Sequence, residues 1–329
     1  RGPYVLDQPR CDRLSVFCNI DEGYAISAPD VETIYEVPLV LESQEFSDKM
    51  LKRLDLKAKN KGLDEWRAFV KKIKGLKREM RIAVVGKYFG TGDYTLSDSY
   101  ISVIEAIKHA CWSQGLKPNL TWVNSETFEK DPSSLKTLSD FDGIIVPGGF
   151  GERGIEGIIS AIRYARENKI PYLGLCYGMQ LACIEFARNV VGLKDASSTE
   201  IKPKTKDPVI HLNPLQARNV TEKKYGATMR LGSYSCDLMK GTKSFKAYGE
   251  KTISERHRHR YEFNNDYRQQ LEEAGLIIAG VNPEQDLVEI IELPDHPFFV
   301  GVQFHPEFQS QPLSPHPLFK AFVKAAMKK

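Results

Sequence analysis

Residues 171–192 read "PYLGLCYGMQLACIEFARNVVG", and this stretch decides the fold class. The apolar run "PYLGLC" predicts a buried strand, and "GMQLACIEFARNVVG" predicts a helix directly after it. Between them lies the pattern Gly174-Leu175-Cys176-Tyr177-Gly178, in which two glycines flank a cysteine. This G-x-C-x-G pattern is the cysteine version of the sharp strand-to-helix turn that exposes a nucleophile at the edge of a sheet.

The neighbouring segments repeat this order of strand and helix. "RIAVVG" and "DGIIV" predict buried strands, and "NLTWVN" is strand-like. The segment "DGIIV" ends in the glycine-rich turn "PGGFG" (147–151). "SDSYISVIEAIKHACWSQG" predicts a helix with Ser97 or Asp98 as cap and Gly115 as stop, and "IEGIISAIRYARENK" predicts another. Strands that alternate with helices predict an α/β fold with a parallel sheet, in which ligands bind at the carboxyl ends of the strands. "LIIAGV", "LVEIIEL" and "FFVGVQF" predict later strands, and "PLFKAFVKAAMKK" predicts a closing helix.

The first 80 residues differ from this pattern. "LSVFC" (14–18) predicts a short strand, and the following segment predicts helical pieces that are broken at Pro38. Residues 51–80 are rich in lysine, which indicates a solvated linker helix or, alternatively, a basic docking surface. Because the chain begins with Arg1, we expect a fragment or a processed product. The expected domains are 1–50, a linker helix over 51–80, and 81–329.

The composition excludes several classes of protein. Of the 329 residues, 41% are hydrophobic and 27% are charged, as in ordinary globular proteins, and the length predicts two domains. The net charge of +3 is too small for a general nucleic-acid binder, and no apolar run approaches the roughly 18 residues of a membrane helix. The six cysteines show neither a CxxC pair nor a zinc spacing, so we expect a reduced, cytoplasmic protein without a metal site.

The first residue that could take part in a reaction is Cys176, the candidate nucleophile. The positive end of the following helix would activate it. His305 in "GVQFHPEF" follows a predicted strand and is the candidate base. Glu307 lies two positions further, on the same side of an extended backbone, and would orient His305. His296 is the weaker candidate because it precedes the strand. The glycines of residues 147–151 allow backbone N–H groups to approach a ligand and would contribute to an oxyanion hole.

A basic segment, "RHRHRYE" (256–262), forms a further candidate site. Strand alternation places Arg256, Arg258 and Arg260 on one face and the two intervening histidines on the other. The arginine face is suited to a carboxylate or a phosphate, which guanidinium groups bind in a bidentate manner.

Together, Gly174 to Gln180, "PGGFG" and "HPE" resemble the class I, triad-type glutamine amidotransferases. The ordered set "VPGGFGERGIEG", "SSTE", "GATMRLG", "ERHRHRYEFN" and "VGVQFHPEF" is similar to the CTP synthase family, and the leading piece resembles the end of that family's synthetase domain. The resemblance covers nearly the whole chain. It implies a flavodoxin-like amidotransferase domain with a mostly parallel sheet flanked by helices, preceded by a remnant of a P-loop-type α/β synthetase domain.

The resemblance also implies roles for individual residues. It makes Cys176 the nucleophile, His305 the general base and acid, and Glu307 its orienter. The residues that it assigns to the oxyanion hole are Gly148 and Tyr177. The residues that it assigns to glutamine binding are Gly149, Tyr177, Gly178, Met179, Gln180, Glu200 and Arg260, with Arg260 facing the α-carboxylate and Glu200 the α-ammonium group. The residues that it assigns to a nucleotide-site remnant are Arg13, Asp30 and Val31.

The implied activity is glutamine hydrolysis that supplies ammonia for the ATP-dependent amination of UTP to CTP. The glutaminase step would need no cofactor, whereas the synthetase reaction would use ATP and Mg²⁺, with GTP as activator. The implied assembly is a homotetramer, which in some members polymerises into filaments.

The sequence departs from the family at several positions. Tyr177 replaces the usual leucine after the nucleophile, and Arg13 replaces a lysine. A G-x-x-x-x-G-K nucleotide loop is absent from these residues, so we expect this chain alone to hydrolyse glutamine without forming CTP. Two alternatives stay open: a stand-alone amidohydrolase or peptidase of the same triad type, and a catalytically silent assembly module.

Overall fold

The computed structural model describes residues 2, 4–59, 62–87, 90–91, 94–95, 100–212 and 229–329. The chain divides into two compact units, Arg1–Leu76 and Lys77–Lys329, and the division falls within the segment predicted as a linker. The three-part domain boundaries stay a prediction. None of the helices in the described ranges is long and apolar enough to cross a membrane.

The first unit consists of short helices. The predicted strand at residues 14–18 is wrong, because these residues belong to the helix Gln8–Phe17. Asp7 caps this helix by accepting a hydrogen bond from the N–H of Arg10, and Pro9 stands in its first turn. Local capping therefore outweighs the β-propensity of "SVF". The helices of this unit are α1 (Gln8–Phe17), α2 (Val37–Glu42), α3 (Phe46–Arg53) and α4 (Asp64–Lys74).

An aromatic cluster holds α4 within the first unit. The rings of Trp66 and Phe69 lie 5.9 and 5.7 Å from the ring of Tyr35, measured between centroids. The indole N–H of Trp66 donates to the carbonyl of Tyr35 at 2.7 Å. The predicted linker helix is thus shorter than residues 51–80, and one of its faces is packed. Pro38 lies in the first turn of α2, so it begins a helix where a break was predicted.

Among the described residues, the second unit is built on a nine-stranded sheet with the order β10-β9-β12-β13-β14-β6-β5-β1-β4, whose strand ranges are given at the end of this paragraph. The strands from β14 to β4 are parallel, and those from β10 to β13 extend the sheet in antiparallel pairs. A second, three-stranded sheet has the order β11-β8-β7, and β2 pairs with β3. The strands are β1 (Glu79–Gly86), β2 (Gly90–Thr91), β3 (Tyr94–Thr95), β4 (Lys117–Asn124), β5 (Gly143–Val146), β6 (Tyr172–Leu175), β7 (Ala196–Ser198), β8 (Asp207–Leu212), β9 (Arg230–Leu238), β10 (Thr252–His259), β11 (Tyr261–Phe263), β12 (Ile277–Asn282), β13 (Leu287–Glu292) and β14 (Phe299–Val302).

Helices cover both faces of the large sheet. Successive residues of a strand point to opposite faces, so Ala83 and Val85 of β1 pack with one cluster while Ile82 and Val84 pack with the other. This burial on both sides is the reason that the parallel strands read as continuous apolar runs. The predicted α/β class is confirmed. The helices of this unit are α5 (Ile101–Ser113), α6 (Glu126–Lys130), α7 (Ile155–Glu167), α8 (Tyr177–Phe186), α9 (Lys243–Tyr248), α10 (Arg268–Glu273) and α11 (Pro317–Ala326), with α7 and α8 on one face and α5 and α11 on the other.

The ends of α5 bear on two further predictions. Ser97 and Asp98, the predicted caps, lie outside the described residues. Gly115, the predicted stop, follows the end of the helix and has a φ of +75°. This left-handed conformation is one that glycine adopts at little cost, as a helix terminator requires.

Candidate active site

Cys176 occupies the turn between β6 and α8. Its backbone has φ 49° and ψ −96°, a conformation that residues other than glycine rarely adopt. The two flanking glycines allow the turn to close. A Cβ on Gly174 would lie 2.8 Å from the carbonyl carbon of Gly178, and a Cβ on Gly178 would lie 2.3 Å from the carbonyl oxygen of Val146. The glycines are therefore required by close packing of backbone against backbone around the cysteine.

The next strand of the sheet brings His305 to this turn. The strand β14 pairs in parallel with β6, and the N–H of Cys176 donates to the carbonyl of Val302 at 2.7 Å. His305 follows shortly after β14, and a Cβ on Gly148 would lie 2.9 Å from its Cε1 and 3.8 Å from the Cβ of Cys176. The three residues therefore meet at the carboxyl edge of the parallel strands, where the sequence predicted a site.

Glu307 holds the imidazole of His305. Nδ1 of His305 lies 2.7 Å from Oε1 of Glu307, and both side chains are buried. The extended backbone predicted for this contact is wrong, because Pro306–Gln309 forms a 3₁₀ turn that directs the carboxylate back to the ring. Nε2 of His305 has no oxygen or nitrogen partner in the described part of the chain. The ring also stacks on Phe308, at 5.3 Å between centroids.

The electrostatics of the site favour a thiolate. Burial alone would raise the pKa of Cys176, but the charges and hydrogen bonds of His305 and His259 outweigh it and lower the pKa to about 6. Burial lowers the pKa of His305, whereas Cys176 and Glu307 raise it, with the result at about 10. At pH 7 the pair is therefore a thiolate beside an imidazolium, the form in which a cysteine is nucleophilic.

The turn after β5 forms the wall opposite the sulfur. Gly148 and Gly149 line the cavity, and the carbonyl of Gly151 accepts two hydrogen bonds of 2.7 Å, from the hydroxyl of Tyr177 and from Nζ of Lys87. Burial lowers the pKa of Lys87 to about 8. The side chain of Tyr177 thus ties this loop to the start of α8.

A cavity of about 810 Å³ opens beside the sulfur. Its lining includes a carboxylate from Glu200 and a guanidinium from Arg260, which follows the end of β10. Burial raises the pKa of Glu200, although the N–H of Gly151 and the charges of Lys87 and Arg260 oppose this shift. The cavity therefore presents both signs of charge near a nucleophile.

Some of the residues that were predicted to bind glutamine line this cavity, and others do not. Gly149, Gln180, Glu200 and Arg260 line the cavity. Tyr177, Gly178 and Met179 do not line it: all three are buried, and Met179 packs against Gly301. The amide of Gln180 donates to the carbonyl of Tyr261 at 2.9 Å and to Oε1 of Gln303 at 3.2 Å.

The alternation predicted for "RHRHR" agrees with the structure over β10. Arg256 and Arg258 are exposed, while His257 and His259 are buried. No role was predicted for the buried face, yet His259 lines the cavity beside Cys176 and its charge lowers the pKa of that thiol. Gln303 is a second residue without a predicted role, and its amide nitrogen lies 3.6 Å from the sulfur. The alternation of side chains along each strand could have indicated both residues, because it places them on a buried face at or just after the end of a strand.

The weaker predicted sites lie elsewhere. His296 is a structural residue: its Nε2 contacts the carbonyl of Ala165 at 3.1 Å, and its Nδ1 accepts the N–H of Phe298. In the first unit, Arg13 lies exposed on α1, and Asp30 is exposed next to half-buried Val31. Their assignment to a nucleotide site stays a prediction.

Comparison with known proteins assigns the chain to a family. A model of the family "Glutamine amidotransferase class-I" matches residues 95–325, and a model of "CTP synthase N-terminus" matches residues 1–56. The site and these matches define a class I glutamine amidotransferase.

Individual relatives narrow the assignment. The CTP synthase of Caldanaerobacter subterraneus subsp. tengcongensis is 53% identical over 327 residues, which cover 99% of this chain and 59% of the relative. The CTP synthase of Geobacillus kaustophilus is 48% identical over 328 residues, with 100% and 60% covered. The solved glutaminase domain of Trypanosoma brucei CTPS, with bound acivicin, is 39% identical with a TM-score of 0.70, covering 76% of this chain and 94% of that domain. The chain belongs to the CTP synthase family and spans about 59% of the length of the first of these relatives.

Proposed function

We propose that this chain hydrolyses the side-chain amide of L-glutamine and that, in the whole protein, the released ammonia serves the ATP-dependent amination of UTP to CTP. The observation that carries the proposal is the position of Cys176, which lies on a strained turn beside the buried His305–Glu307 pair. The cavity beside this sulfur is also lined by Glu200 and Arg260, whose opposite charges suit the α-ammonium and α-carboxylate groups of a free amino acid.

The reaction begins with the thiolate. The sulfur attacks the amide carbon, and the carbonyl oxygen becomes an oxyanion held by backbone N–H groups of Gly148 and Tyr177. Each such donor contributes about 3 kcal/mol to the lowering of the barrier. The N–H groups at the start of α8 have no partner within the helix, which leaves that of Tyr177 available for this role.

His305 then transfers protons in both halves of the reaction. Its imidazolium gives a proton to the departing nitrogen, so ammonia leaves and a γ-glutamyl thioester forms on Cys176. The neutral imidazole then takes a proton from water, which attacks the thioester and releases glutamate. Glu307 stays ionised and fixes the ring through Nδ1–H throughout, as the third member of a triad does.

The charged groups of the cavity support glutamine over other amides. Arg260 is suited to the α-carboxylate by its bidentate geometry, and Glu200 to the α-ammonium group. A residue in the middle of a peptide has neither a free α-carboxylate nor a free α-ammonium group, so these two side chains do not favour a peptidase. The assembled nucleophile and base also disfavour a silent assembly module.

The family assignment extends the proposal to the whole protein. We place the protein in the cytoplasm as a homotetramer that uses ATP, Mg²⁺ and UTP and responds to GTP. The described residues contain no group of three or more His, Cys, Asp or Glu side chains that could hold a metal ion. Arg13, Asp30 and Val31 are proposed contributors to the nucleotide site of the synthetase portion.

The direct test replaces the nucleophile. Cys176→Ser should lower ammonia release from glutamine by at least ~10³-fold, since the weaker hydroxyl nucleophile lacks the thiolate's charge. Cys18→Ser, which changes an exposed cysteine, is the matched control and should leave the rate unchanged. Glutaminase activity of Cys176→Ser at the wild-type rate would refute the proposal.

A further inference from the structure

The sulfur of Cys176 interacts with two imidazoles, of which the triad uses only one. His305 is held through Nδ1 by Glu307 at 2.7 Å, and His259 is held through Nε2 by Glu262 at 3.0 Å. In both rings, the second nitrogen is buried and has no oxygen or nitrogen partner among the described residues. Two histidine–glutamate pairs therefore flank one sulfur.

His259 differs in this respect from histidines that only fill the core. His296 and His316 are also buried, but each uses both of its ring nitrogens in contacts with protein groups. An imidazole nitrogen that is buried and unpaired costs free energy unless a neighbouring group compensates it. For Nδ1 of His259, we take this group to be the sulfur of Cys176, because both residues line the same cavity and the charge of each shifts the pKa of the other.

The surroundings of His259 keep a positive charge in place. Glu262 also lies 3.6 Å from Nη1 of Arg230, whose Nη2 pairs with Glu289 at 2.5 Å. His257 stands 5.2 Å away between ring centroids and 3.6 Å from Glu289, and burial together with neighbouring cations lowers its pKa, so that it stays neutral. Glu262 is thus the carboxylate in direct contact with the His259 ring.

We propose that His259, held by Glu262, is a positioning residue that keeps a second, fixed positive charge on the Cys176 thiolate, while His305 alone transfers protons. This inference deepens the proposed glutaminase mechanism and rests on the same sulfur. When the thiolate attacks the amide carbon, the proton for the departing ammonia comes from His305. The proton on His259 stays on its ring throughout the cycle.

The ionisation of the group agrees with this role. Burial lowers the pKa of His259, but Glu262 and Cys176 raise it, with the result at about 9. His259 is therefore charged at pH 7 beside the thiolate, and its contact with Glu262 continues to favour the charged form after the thioester has formed. A charge that persists while the thioester is hydrolysed also stabilises the thiolate as it departs.

The test measures the thiolate directly and without glutamine. Iodoacetamide alkylates thiolates, so its rate with Cys176 as a function of pH, followed by peptide mass mapping, gives the pKa of this thiol. In His259→Gln the midpoint should rise by about 1 to 3 pH units, as expected when a charge in contact is removed. Each unit lowers the alkylation rate about tenfold at pH values below both midpoints.

Two further variants complete the experiment. Glu262→Gln weakens the charge on His259 and should give a smaller upward shift, which keeps the test decisive if His259→Gln does not fold. His316→Gln removes an imidazole from another buried pair, with Glu255 at 2.8 Å, and should not move the midpoint. Exposed Cys18 in the same samples reports the reactivity of an ordinary thiol.

An unchanged midpoint in folded His259→Gln, or in Glu262→Gln where only that variant folds, would overturn the inference. The result is separable from the proposed function. If the variants show the predicted shifts but the wild-type protein releases no ammonia from glutamine, the proposed glutaminase is refuted and the two-imidazole thiolate is not.

Discussion

Gly148→Ala tests the packing between the turn that follows β5 and the ring of His305. The added Cβ would lie 2.9 Å from Cε1 of His305, whereas carbon atoms pack at about 3.5–4.0 Å. The ring must therefore retreat by about 0.6 Å or more, although Glu307 holds it at 2.7 Å and Phe308 stacks on it. Because a misplacement of about 1 Å can cost roughly 10²-fold in rate, kcat for glutamine should fall about 10- to 100-fold.

The assay for this variant is the steady-state release of ammonia, read together with the thermal unfolding midpoint. Gly148 has no left-handed φ, so alanine is compatible with its backbone and the fold should persist. Gly62→Ala is the matched control, because nothing lies within 4 Å of its added Cβ. A folded Gly148→Ala protein with the wild-type kcat would show that His305 does not work from the position described.

Three further predictions concern the same site. Glu307→Gln should lower kcat by roughly 10²–10⁴-fold, because the imidazolium loses its buried carboxylate; a kcat near the wild-type value in ammonia-release assays would contradict this. The value of kcat/KM should fall as the pH drops through about 6, where the lowered pKa of Cys176 returns the thiolate to thiol, and again above about 10, where His305 loses its proton; a pH profile without the acid limb would speak against the thiolate. Arg260→Ala should raise KM for glutamine about 10- to 100-fold through loss of a charge-assisted pair with the carboxylate, and equal losses with an amide lacking the α-carboxylate would argue that Arg260 has another role.

The sequence predicts the parts of the fold that depend on local pattern. Buried parallel strands read as apolar runs, and the sharp turn at Cys176 shows in its two glycines. The helix α1 was missed because its capping by Asp7 is a contact of one side chain, which outweighed the strand-like residues 14–18. The antiparallel pairing of β10, β9, β12 and β13 was not predicted, because it depends on contacts between segments that are distant in the sequence.

Some residues of the candidate site could likewise be predicted from local pattern, and others could not. The nucleophile and base each follow an apolar run, so their positions at strand ends were predictable. The contact of Glu307 was predicted for an incorrect reason, since the 3₁₀ turn after Pro306 supplies the geometry. The role proposed for His259 was missed because His259, Glu262 and Cys176 come from β10, β11 and the turn before α8, which only the fold brings together. The alternation of residues along a strand predicts which side chains share a face, but only the fold determines which residues that face contacts.

The central claim is that Cys176 carries the substrate's acyl group during turnover. Acid quenching of the wild-type protein during steady-state hydrolysis of glutamine, followed by peptide mass mapping, measures this directly. The account predicts a γ-glutamyl group on the peptide that contains Cys176, present with glutamine and absent with glutamate. Ammonia release without any acylated cysteine, or with the group on another residue, would contradict it.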